Sequence, residues 1–224
     1  MESPASIEPD ESMSQNSHAC LMKPMEAIIF DWGGVLIDDP APKLMQFCAE
    51  ALEVPVADYI KTHRKFEADF QKGSIPEAAF WARVCGELKV PCPTIDSLWT
   101  KAIRTAYSPK EDMFLLASSL RSKGYKIAIL SNTEMPVSQY CCQLLPRDMF
   151  DAIILSCNEG TRKPERKIYE LAMERLQAQP QQTIFIDDRA DYIDGAKNVG
   201  INTILFENTQ QLKDELSRLL AKTS

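Results

Sequence analysis

The chain has 224 residues, 45% of them apolar, with 25 Lys and Arg against 32 Asp and Glu for a net charge of −7. That length fits one large or two small domains; no apolar run approaches the ~18 residues of a membrane span, and the acidic balance argues against nucleic acid or an anionic membrane as partner. The seven cysteines form no CxxC pair and only two histidines accompany them, which predicts neither a zinc site nor a disulfide framework but reduced thiols and a cytoplasmic location.

Residues 1–22 carry four acids, no Lys or Arg before position 23 and no apolar stretch. They resemble neither a secretory signal nor an Arg-rich transit peptide and are expected to form a disordered tail. From Ala27 the pattern changes to the apolar run Ala27-Ile28-Ile29-Phe30, followed by Asp31-Trp32-Gly33-Gly34. This reads as a buried strand entering a tight loop. Similar runs recur at Ile127–Leu130, Ile153–Leu155, Thr183–Ile186 and Thr203–Phe206, separated by helical stretches. Alternating strand and helix predicts a parallel sheet covered on both faces.

One segment breaks the alternation. Residues 40–107 hold amphipathic helices and no strand. One helix carries Val56, Tyr59, Ile60, His63, Phe66 and Phe70; a second is expected from the capping box Ser74-Ile75-Pro76-Glu77; a third runs from about Ile95 to Ala106. The insertion is too long for a crossover connection and reads as a separate cap. Residues 23–39 and 108–224 then form the core. A second capping box, Ser108-Pro109-Lys110-Glu111, is expected to open the helix that stops at Gly124, and Asn208-Thr209 opens the last helix. Pro164 suits the first position of another.

In open α/β sheets, ligands bind beyond the carboxyl ends of the strands. The residues standing there are Asp31, then Ser131-Asn132, then Arg162-Lys163-Pro164 after a loop, then Asp187-Asp188. Carboxylates supply the oxygen ligands that Mg²⁺ prefers, and lysine, hydroxyl and backbone N–H groups hold phosphate oxygens. Each signal alone has a bland reading, as a turn residue, a helix cap or a solvated charge. Their conjunction at four strand ends points to phosphoryl chemistry. Gly33 and Gly34, adjacent in a chain with only eight glycines, suit a close approach of backbone to ligand.

FDWGGVL, LSN, the RKP lysine and FIDD, in that order, resemble the haloacid dehalogenase-like hydrolase superfamily, within it the small sugar-phosphate (glucose-1-phosphatase-like) phosphatases. The resemblance covers almost everything except the tail. It implies a Rossmann-like α/β/α core with a helical cap, and a Mg²⁺-dependent phosphatase acting on a small phosphorylated substrate through an aspartyl-phosphate. Asp31 matches the nucleophile; Ser131, the Asn132 backbone N–H and Lys163 match the phosphate-binding groups. Asp188, Asp31 and the Gly33 carbonyl match the metal ligands, with Asp187 bonded through water.

One position departs from that pattern. Most phosphatases of the superfamily carry an acid/base Asp two residues after the nucleophile, where this chain has Gly33. Losing a general acid typically forfeits ~10²–10⁴-fold in rate. Either Asp38 or Asp39 reaches the leaving oxygen, or the substrate has a good leaving group such as an anomeric hydroxyl or acyl oxygen; the resemblance favours the latter. Two other readings stand beside the phosphatase. A 2-haloacid dehalogenase needs no metal, which leaves Asp187-Asp188 without a task. A non-catalytic phosphate binder has no reason to keep Asp31, Lys163 and Asp188. His63 is expected to be a packed histidine, Trp81 and Trp99 core residues, and Tyr192 has no assigned role. The protein is expected to be a monomer or homodimer.

Overall fold

A computed structural model describes residues 24–221; the tail expected over residues 1–22 lies outside the described residues. Five strands, β1 (Ala27–Phe30), β2 (Lys126–Ser131), β3 (Ala152–Leu155), β4 (Thr183–Asp187) and β5 (Asn202–Leu205), form one parallel sheet in the order β3-β2-β1-β4-β5. The strand-like runs are thus all strands: β1 has the expected bounds, and the other four are extended or shifted by one residue at their ends. Strand β1 is central: Phe30 pairs with Ile129 of β2 on one side and Ile186 of β4 on the other.

Because successive strand side chains point to opposite faces, each central strand divides itself between two apolar layers. Ile28, Phe30, Ile127, Ile129, Ile184 and Ile186 face one layer, and Ala27, Ile29, Ala128, Leu130 and Phe185 face the other. Helices α5 (Glu111–Ser122) and α10 (Thr209–Ala221) cover the first face through Met113, Ala117, Leu120, Leu212 and Leu216. Helices α8 (Arg166–Leu176) and α9 (Ala190–Lys197) cover the second through Ile168, Tyr169, Ala172, Ile193 and Ala196. The result is the three-layer α/β/α arrangement expected from the alternation.

Between β1 and α5 lie four helices: α1 (Ala41–Ala51), α2 (Val56–Gln71), α3 (Glu77–Leu88) and α4 (Leu98–Ala106). Helix α1, which opens beside Pro40, has no counterpart among the three helices read from the sequence. The four close on an aromatic cluster of Tyr59, Phe70, Phe80, Trp81 and Trp99, continuous with the first apolar layer of the sheet. His63 sits within it, 5.5 Å from the Phe80 and Trp99 rings.

Neither expected capping box forms. Helix α3 begins at Glu77 without a side-chain cap, and the Glu77 carboxylate instead accepts from Trp81 Nε1 (2.9 Å) and the Trp99 backbone N–H (3.0 Å). It therefore ties α3 to α4. Ser108 likewise donates to the Asp38 carboxylate at 2.7 Å, and α5 starts at Glu111. Long-range partners outcompete the local cap in both places. Pro164 is not a first helical residue either: Glu165 N–H bonds to the Arg162 carbonyl at 2.8 Å, closing a turn, and α8 begins at Arg166. The six described cysteines are free thiols, and no helix among the described residues is long and apolar enough to cross a membrane.

Candidate active site

The carboxyl edges of β1, β2 and β4 and the helices α1, α2 and α4 enclose a cavity of about 260 Å³. Asp31, Gly33, Ser131, Asn132, Lys163 and Asp188 line it. The register explains why they meet: β1 lies between β2 and β4, so Asp31 N–H bonds to the Ile186 carbonyl (2.9 Å) and its side chain emerges beside Asp187. One ligand oxygen from each of Asp31, Asp187 and Asp188 falls within 4.8 Å of the others. This all-carboxylate donor set fits a hard divalent cation such as Mg²⁺.

Lys163 holds the carboxylates together. It is completely buried, and its Nζ lies 2.7 Å from Asp31 Oδ1 and 2.6 Å from Asp187 Oδ2. The ammonium also sits over the Tyr192 ring, 4.8 Å from its centroid. Burial works against the charge, but the two carboxylates outweigh it and hold the lysine pKa above its ordinary value. Burial likewise pushes the Asp31 carboxyl up, while Lys163 opposes it. Asp188 is raised by burial and by its neighbour Asp187.

The backbone that carries Lys163 is clamped by a side chain. Asn132 Oδ1 accepts from Lys163 N–H (2.8 Å), and Asn132 Nδ2 donates to the Lys163 carbonyl (2.9 Å) and to the Tyr192 hydroxyl (3.0 Å). Tyr169 donates in turn to the Tyr192 carbonyl at 2.7 Å. Asn132, expected to act through its backbone N–H, thus has a second task, and Tyr192 acquires one. The loop after β2 is pinned as well: Thr133 N–H donates at 2.9 Å to the Oγ of Ser156, which opens the short helix α7 (Ser156–Glu159).

The loop after Asp31 is equally constrained. Gly34 has φ +88°, and a Cβ there would stand 2.3 Å from Asp188 Oδ2. Only glycine meets both demands. Lys110 Nζ donates to the Gly34 carbonyl at 2.6 Å. The structure places the two candidate acids differently. Asp38 is exposed, held by Ser108 and absent from the cavity lining, whereas Asp39 lines the cavity at an exposed position while accepting from Ala41 N–H at 2.9 Å.

Several lining residues carried no distinct signal in the sequence. Glu134, at the cap position of α6 (Met135–Leu144), is buried, and its carboxylate accepts from Gln71 Nε2 at 3.2 Å. Gln71 Nε2 also donates to Glu67 at 3.2 Å, and Gln71 Oε1 accepts from Arg162 Nη1 at 2.7 Å. His63, though packed as expected, also borders the cavity, and its buried Nε2 has no hydrogen-bond partner. Burial lowers its pKa to about 4, so it is a neutral ring.

The family profile of haloacid dehalogenase-like hydrolases matches residues 25–200. The chain belongs to that family. Among curated proteins, the chain is 32% identical over 205 residues to acyl-CoA dehydrogenase family member 10 of Mus musculus, covering 87% of this chain and 19% of that protein. It is 36% identical over 92 residues to a glyceraldehyde 3-phosphate phosphatase of Pyrococcus abyssi, covering 39% of this chain and 38% of that one. The chain spans about a fifth of the length of the first curated relatives it matches. Its fold is shared with a Bacteroides thetaiotaomicron enzyme of the family solved with magnesium and inorganic phosphate: TM-score 0.68, 22% identity, 84% of this chain and 98% of that chain covered.

Proposed function

We propose that the hydrolase is a Mg²⁺-dependent phosphatase that cleaves a small phosphate monoester through an aspartyl-phosphate on Asp31. The observation that carries this reading is the gathering of Asp31, Asp187 and Asp188 within 4.8 Å, with the Lys163 ammonium against two of them. Relatives named as phosphatases support it. A metal-independent dehalogenase would have no use for a carboxylate cluster of this kind.

Asp31 attacks phosphorus in line with the leaving oxygen; the Asp31–phosphorus bond forms as the ester bond breaks. Lys163 orients the attacking carboxylate and offers positive charge to the phosphoryl oxygens, which Ser131 Oγ and the Asn132 backbone N–H also bind. Asp31, Asp188, the Gly33 carbonyl and, through water, Asp187 would hold Mg²⁺. When bound, that ion supplies positive charge which offsets the repulsion between phosphate and carboxylates. Water then releases phosphate from Asp31. The helices α1–α4 act as a cap that excludes bulk water and selects the alcohol portion. The cavity of about 260 Å³ lies just under the ~300–1,000 Å³ of drug-sized ligand pockets, which restricts that portion to a small metabolite.

The test is phosphate release from a panel of sugar, glycerol and acyl phosphates, with Mg²⁺ and with chelator. Release that requires Mg²⁺ and disappears in Asp31→Asn is the expected result. Chloride release from 2-chloropropionate in chelator, with no phosphate release in Mg²⁺, would overturn the reading.

A further inference from the structure

Gly33 stands two residues after the proposed nucleophile and has no proton to give. Of the two candidate acids nearby in sequence, Asp38 is committed to Ser108 outside the cavity lining and Asp39 is exposed. Beyond the Asp31, Asp187 and Asp188 cluster, the carboxyl groups lining the cavity among the described residues are Asp39, Glu67 and Glu134. Glu134 alone of the three is buried. It follows Ser131 by three residues on the loop that also carries Asn132, and it lines the same cavity as Asp31, Ser131, Asn132 and Lys163. Its carboxylate accepts from Gln71 of the cap, which also lines the cavity, and Arg162 donates to the Gln71 side-chain oxygen.

We propose that Glu134 is the general acid and base of this active site, taking the part that Gly33 cannot play. The assignment rests on the phosphatase reading. In the first half-reaction the Asp31–phosphorus bond forms, the phosphorus–oxygen ester bond breaks, and the Glu134 proton passes to the leaving oxygen to give a neutral alcohol. In the second, Glu134 takes a proton from the attacking water as the new oxygen–phosphorus bond forms and the Asp31–phosphorus bond breaks, which returns inorganic phosphate and both carboxyl groups to their starting states.

The surroundings suit that task. Burial pushes the Glu134 carboxyl up to about 7, with Gln71, its own backbone N–H and Arg162 opposing and Glu67 reinforcing the shift. Tyr59, Cys48 and Cys157 feel the Glu134 charge in turn, and burial pushes each of them up so that they stay neutral. An acid that ionises near the working pH donates and accepts most efficiently. No anomeric or acyl leaving group is then required.

Glu134→Gln keeps the size of the side chain and an oxygen to accept from Gln71. The experiment compares alkyl monoesters, glycerol phosphate and primary sugar phosphates, with para-nitrophenyl phosphate, whose leaving group needs no proton, all in Mg²⁺. Expected is a fall in kcat/KM, which reads only the first half-reaction, of ~10²–10⁴-fold on alkyl esters against less than about tenfold on the aryl ester, with Glu134→Asp restoring part of the alkyl rate; kcat on the aryl ester, which contains the shared second half-reaction, falls as well. The wild-type alkyl rate should also decline as pH rises through about 7, a limb that Glu134→Gln lacks. Equal losses of kcat/KM on both ester types, an unchanged alkyl kcat/KM, or a wild type active only on the aryl ester would overturn the proposal while leaving the phosphatase reading intact, provided Asp31→Asn abolishes activity. A wild type inactive on every ester overturns both.

Discussion

Replacing Lys163 by Met removes a charge and keeps an apolar stem of similar length. The Lys163 side chain is 1% exposed, and the Asp31 and Asp187 carboxylates it bridges are 9% and 0% exposed. Water cannot replace the lost ammonium. Breaking a buried ion pair by removing one partner typically costs 3–5 kcal/mol, because the other charge stays buried and unpaired. Here two carboxylates are left facing each other, so a loss of ~3–5 kcal/mol is expected at pH 8 in chelator. In a chain of this size that corresponds to a fall in Tm of roughly 6–20 °C. The dependence on pH follows from linkage. Without Lys163, one of the two carboxyls keeps its proton in the folded protein at a pH where the unfolded chain has released it. The folded state then binds more protons, so stability declines as pH rises, and the deficit is smaller at pH 5 than at pH 8. Urea denaturation followed by far-UV circular dichroism at both pH values measures it. A deficit below about 1 kcal/mol, or one that is the same at both values, would refute the argument that this ammonium holds the carboxylates together.

Gly34→Ala is expected to lose ~1–3 kcal/mol from its positive φ and to displace Asp188, raising the Mg²⁺ needed for half-maximal thermal stabilisation by about tenfold or more; an unchanged Mg²⁺ titration would contradict the close approach. Tyr192→Phe removes a hydroxyl that accepts from Asn132 at 3.0 Å and should cost ~0.5–1.5 kcal/mol in chemical denaturation. Asn132→Ala, which frees the Lys163 backbone on both sides, should cost more than that, and the reverse order would show that the clamp is not what places the lysine. Glu134 ionises near 4.5 in the unfolded chain and at about 7 in the fold, so the folded protein binds the extra proton and loses stability as pH rises through that window. Glu134→Gln should therefore equal the wild type at pH 4.5 and exceed it by ~1–3 kcal/mol at pH 8, compared by urea denaturation; a variant less stable at pH 8 than at pH 4.5, relative to wild type, would reverse the sign.

The sequence by itself determined the elements and the chemistry standing at their ends. Strands β1 to β5 are short apolar runs bounded by polar residues, a pattern set by burial on both faces of a parallel sheet, and Asp31, Ser131, Lys163 and Asp187-Asp188 follow those runs wherever the chain leaves the sheet. What lay outside the reach of local pattern was decided by neighbours distant in the chain. Glu77 and Ser108 spell capping boxes, yet they bond to Trp81, Trp99 and Asp38 because partners brought by the fold compete with the local N–H groups. Pro164 could not announce a turn rather than a helix start. Lys163, taken alone, reads as a solvated charge, and its complete burial is decided by the β1–β4 pairing that sets Asp31 and Asp187 beside it. Glu134 reads as an ordinary acid ahead of a helix. Its burial comes with the tertiary fold, in which Gln71 of α2 meets its carboxylate, and burial, which no single segment of sequence encodes, is what changes the energy of its charge.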